Sequence, residues 1–72
     1  MERTLTDLSE DYFKEAAHFD ELIEKCDREI NDARRKNQIH RYYSLKKKRS
    51  VFRSQKFELM ETAYILKNYY NN

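Results

Sequence analysis

Apolar residues in the first half of the chain recur with a period of seven. Leu5, Tyr12, Phe19, Cys26 and Ala33 form one column, and Ala16, Ile23 and Ile30 form a second between its members. The steps alternate between four and three. That rhythm keeps side chains on one face of a helix and is the signature of a coiled-coil seam. It predicts a helix from about residue 5 to 36. Thr6 or Ser9 offers a short polar acceptor to cap its start, and neighbouring acids suit the positive end of the helix dipole.

The second half carries its own seam. Leu45, Phe52, Leu59 and Leu66 are spaced by sevens, with Tyr42, Ala63 and Tyr70 on the companion column and Arg49 and Lys56 in its remaining places. This predicts a helix from about residue 40 to 70. The two seams are out of phase by five residues, whereas a stutter or stammer accounts for four or three. One continuous rod would swing its apolar stripe to another side midway. The break falls in "RRKNQIHR", residues 34–41. Asn37 is the best left-handed C-cap available, and Arg34, Arg35 and Lys36 suit the negative end of the first helix. The expected fold is all-α: an antiparallel, coiled-coil-like two-helix hairpin turning at about 37–39. A continuous helix bent at Asn37 is the alternative, and it needs a partner chain to cover both stripes.

The second helix is apolar over more than its seam. Phe57, Met60 and Tyr64 make a further row, while Ile65 and Tyr69 lie on yet another side, within the segment "LMETAYILKNYY". Surplus apolar surface of this kind marks a protein interface. Phe57, Met60, Tyr64 and Ile65 are therefore the expected oligomer interface. A homodimer forming a four-helix bundle is the favoured assembly, ahead of a different protein partner.

Composition sharpens this picture. The chain has 72 residues with no glycine and no proline, so tight turns and phosphate-cradling loops have little to build on. A chain of this size makes one small domain, and its core is marginal unless something reinforces it. The single cysteine, Cys26, excludes an intrachain disulfide. A structural zinc lacks ligands, since His18 and His40 have no paired spacing with it. Oligomerisation is the remaining reinforcement. A lone free thiol fits a reducing, cytoplasmic setting. The N-terminal "MERTLTDLSEDYF" lacks the apolar run of a signal peptide, and no stretch approaches the roughly 20 apolar residues of a membrane span.

Charge is strongly segregated behind a net value of +2. Residues 1–32 hold eleven acids and four bases, residues 33–57 hold ten bases and no acid, and residues 58–72 hold two acids and one base. Lys46, Arg49, Arg53 and Lys56 stack as a stripe beside the second seam. Folding at Asn37 brings acids level with them: Glu29 near Lys46, and Asp20 and Asp27 near Lys56 and Lys48. Complementary flanks of this kind select an antiparallel partner and its register. The stripe is accordingly read as structural.

The remaining cations, Arg34, Arg35, Lys36, Arg41 and Lys47, gather with His40 at the hairpin tip or on the outer face. Such a cluster attracts phosphates through counterion release without reading sequence. Tyr42 and Tyr43 could stack on the bases of a single strand. No zinc-finger, homeodomain, RRM or KH pattern accompanies them. Nucleic-acid binding is thus the alternative function, and tyrosines at helical spacing are read first as interface packing.

Catalysis has no visible basis. His18 and His40 are expected on exposed positions, and Cys26 sits at a seam position suited to a small buried residue. Glu15 and His18 stand three apart but point away from the seam, so no inward di-metal pairing arises. No cofactor is expected. The reading is a non-catalytic protein–protein interaction or regulatory module that acts as a homo-oligomer. A nucleic-acid accessory protein using the basic tip is the alternative.

Overall fold

The computed structural model describes residues 5–69. They form two antiparallel helices, α1 (Leu5–Arg35) and α2 (Ile39–Tyr69), of 31 residues each. At 1.5 Å per residue each spans about 46 Å, which accounts for the long dimension of a 52 × 19 × 14 Å hairpin. The chain reverses where the seams change phase, so the continuous bent helix is excluded. Both helix ends at the turn lie within one residue of the expected positions. Tyr70, assigned to the α2 seam by spacing, lies outside the described residues, as do the side chains of Leu5, Thr6 and Tyr69.

The reversal is a Schellman turn built without glycine. Asn37 adopts φ 55°, the left-handed region that asparagine tolerates better than other non-glycine residues. Its N–H donates to the Arg34 carbonyl at 3.3 Å, and the Gln38 N–H donates to the Ala33 carbonyl at 2.9 Å. Those two bonds satisfy carbonyls that the end of α1 would otherwise leave open. Gln38 also starts α2, because its carbonyl accepts the Tyr42 N–H at 2.9 Å. One residue thus closes one helix and opens the next.

The seam is buried where its side chains are small. Among the described residues Ala16, Cys26, Ala33 and Ala63 are the buried apolar ones, and Ser9 is buried with them. The large seam members Tyr12, Phe19, Ile23, Ile30, Leu45, Phe52, Leu59 and Leu66 are only half-buried. Two cylinders touch along one line, so a side chain much larger than alanine, serine or cysteine reaches past the contact into solvent. Ring contacts bridge the seam at Phe19–Phe52 (5.9 Å between centroids) and, edge to face, at Phe13–Tyr64 (5.3 Å). Neither expected cap precedes the helix: α1 already begins at Leu5, and Ser9 continues the column of Ala16, Ile23 and Ile30 inward.

Candidate interaction surface

The two helices are tied by charge along one side of the seam. The Lys56 ammonium pairs with Asp20, and Arg49 Nε donates to Asp27 Oδ1 at 2.5 Å. Arg49 and Lys56 occupy seam positions, so their stems fill places an apolar residue would take and their heads reach sideways to α1. Lys56 meets Asp20 as its level in the hairpin predicted. Asp27 meets Arg49 rather than Lys48, because Lys48 lies on the other flank of α2, with its ammonium 5.9 Å from the Phe52 ring centroid. Among the described residues Glu29 makes no ion pair with Lys46, whose ammonium sits 5.3 Å from the Tyr42 ring centroid.

Beside this seam α2 presents a second stripe. From Ile39, steps of four and three lead through Tyr43, Lys46, Ser50, Arg53, Phe57, Met60 and Tyr64, all on one helical face. Ile39, Tyr43, Phe57 and Tyr64 are 65%, 60%, 68% and 51% exposed, and Met60 is half-buried. Three of the four residues expected at an interface, Phe57, Met60 and Tyr64, thus share one surface. Ile65, though 59% exposed, lies on a different side of α2 with Val51. Ile39 and Tyr43 extend the row to the tip; from the sequence Tyr43 stood out only as a base-stacking candidate, and Ile39 was not singled out. Their signal was there, in the same alternation of four and three, but the intervening Lys46, Ser50 and Arg53 break its apolar character.

This stripe borders the groove between the helices. One stretch of the groove is lined by Asp27, Ile30, Lys46, Arg53 and Phe57, and the adjoining stretch by Asp20, Ile23, Lys56, Phe57 and Met60. Both are open to solvent. The face is mixed: acids come from α1, bases from the first half of α2, and large apolar groups from its second half.

At the tip, three of the five cations proposed as nucleic-acid contacts converge on one carboxylate. Arg41 Nη1 lies 3.0 Å from Asp32, the Lys36 ammonium 3.2 Å and Arg35 Nη2 3.7 Å. Arg41 Nη1 also donates to Gln38 Oε1 at 2.8 Å. These bases therefore have an acidic neighbour: Asp32 stands one helical turn before Arg35 and Lys36, and its side chain reaches over the turn to Arg41. The Arg41 hydrogen bond, and after it the one from Lys36, holds the Asp32 carboxyl below its ordinary value. Arg34 and Lys47 are exposed. Three cations around a single anion still leave the tip positive.

Cys26 is a buried free thiol on the seam. His18 is exposed and has Glu21 at 3.8 Å, one helical turn away. Among the described residues no group of three or more His, Cys, Asp or Glu side chains could hold a metal ion, and no helix is long and apolar enough to cross a membrane. No protein-family model matches the chain, and neither a curated protein nor a solved structure matches it.

Proposed function

We propose that the chain is a non-catalytic interaction module that acts as a homo-oligomer through the face bearing Phe57, Met60 and Tyr64. One observation carries this reading. Four large apolar residues of this α2 face, Ile39, Tyr43, Phe57 and Tyr64, are each more than half exposed, while among the described residues the apolar ones the hairpin buries are three alanines and a cysteine. Withdrawing a side chain such as Phe57 from water contributes about 1.5–3 kcal/mol. Several of them, counted on both chains, can offset the cost of association. The test is hydrodynamic. The wild-type chain is expected to sediment as a dimer or larger at micromolar concentration, and Met60→Glu with Tyr64→Glu to give a monomer of reduced helicity. A fully helical wild-type monomer overturns the reading.

A second reading is nucleic-acid binding at the tip, supported by Arg35, Lys36 and Arg41 standing around the single acid Asp32 and by the exposure of Arg34 and Lys47. In this reading Asp32 orders the cations rather than cancelling them. Neutralising Arg34, Arg35, Lys36 and Lys47 is then expected to leave helicity intact and to abolish binding of labelled DNA or RNA. Wild-type affinity should also fall steeply with salt as phosphate contacts release counterions. No binding at about 50 mM salt, where screening is weak, removes this reading.

A further inference from the structure

The exposed face of the hairpin carries the means to choose its own partner geometry. We infer that it pairs face to face with a second copy, α1 of each chain lying on α2 of the other, so that both basic tips emerge at the same end. This arrangement rests on the homo-oligomeric reading above.

The argument begins with charge. The outward positions of α1 on this face include Glu10, Glu24, Asp20 and Asp27, and those of α2 include Lys46, Arg53 and Lys67. Two hairpins can stack in two antiparallel ways. Setting α1 on α1 gathers the outward acids of both chains on one side of the interface and the outward bases on the other, and like charges at an interface repel. Setting α1 on the partner's α2 instead brings the outward acids Glu10 and Glu24 over bases of the partner's α2. Only the crosswise stack is complementary.

Register supports the same choice. A two-fold axis parallel to the helices leaves every residue at its own level along the bundle. The levels are fixed within the chain, where Phe13 meets Tyr64, Asp20 meets Lys56 and Asp27 meets Arg49. The crosswise stack therefore places Glu24 opposite the partner's Arg53, Ala17 opposite the partner's Met60, and Glu10 opposite the partner's Lys67. At the tip end Arg34 comes level with the partner's Tyr43, a cation over an aromatic face. Small meets large where the apolar row is widest, and opposite charges meet at Glu10 and Glu24. Among the described residues Glu24 and Arg53 form no ion pair within the chain, so both are open to an intermolecular one. Asp20 and Asp27 enter the contact already paired, which spares the dimer an isolated buried charge.

Two measurements test this. Spin labels on His40→Cys in a Cys26→Ser background should give one short inter-label distance, below about 30 Å, since both tips share an end and packed helices lie about 8–10 Å apart. Tips at opposite ends would be separated by about the helix length, over 40 Å. Separately, Glu24→Arg should weaken dimerisation about tenfold, an effect of roughly the size of two symmetry-related pairs, and Glu24→Arg with Arg53→Glu should restore it. A long distance, or failure of the double exchange to restore dimerisation, overturns the crosswise arrangement and leaves homo-oligomerisation standing. A monomer overturns both.

Discussion

At the scale of single residues, Asp32 has an outsized effect because of where it lies. It is the last acid before a run of ten bases, and its carboxylate meets Arg35 and Lys36 one helical turn on and Arg41 across the reversal. The Arg41 and Lys36 contacts lower its pKa in the fold. A depressed folded value means that the contribution is fully present above the ordinary value of 3.8 and is lost as pH falls through the lower, folded one. Wild type should thus melt above Asp32→Asn at neutral pH, and the two melting curves should converge once the pH falls below the lowered folded value, where the carboxyl is protonated in both states. A gap that persists in acid would mean the side chain acts by packing. The pairs of Asp20 with Lys56 and Asp27 with Arg49 are partly exposed and contribute about 1 kcal/mol or less each. Their larger effect is to fix which residues stand level.

At the scale of elements, each helix was legible because its seam spans four heptads or more, and the hairpin was legible because the two seams disagree in phase. The turn depends on Asn37 at φ 55°. Removing its Cβ with Asn37→Gly should stabilise the fold, whereas Asn37→Val should lose on the order of 1 kcal/mol or more, because a β-branched residue is strained in the left-handed region. Urea unfolding of the three chains settles the order. Equal midpoints would mean the turn bears no strain. The charge register was readable to within one helical turn only. Whether Asp27 reaches Lys48 or Arg49 depends on which flank of α2 each base occupies, and a few degrees of helix rotation decide that.

At the scale of the molecule, the hairpin is a thin object with half-covered rings. Its buried positions belong to small side chains, and Phe19, Phe52, Leu59 and Leu66 stay half in solvent. A fold finished by association takes part of its stability from mass action. The melting temperature should therefore rise with protein concentration, by several degrees over a hundredfold range for a chain of this length. A melting temperature independent of concentration in the micromolar range would indicate a self-sufficient monomer.

Periodicity by itself determined the helices, their reversal at Asn37 and the surplus of apolar surface on α2, because each depends on spacing along one chain and helical geometry converts spacing directly into direction. The tertiary structure decided what depends on two elements at once. It divided the surplus, placing Phe57, Met60 and Tyr64 together with Ile39 and Tyr43 on one face and leaving Ile65 on another. It drew Ser9 into the seam, and it set Arg41 against Asp32 across the turn. Spacing fixes the angle of a side chain about its own helix. Its neighbours follow only once the rotation of the second helix is set, and that rotation comes from packing small residues at the line of contact.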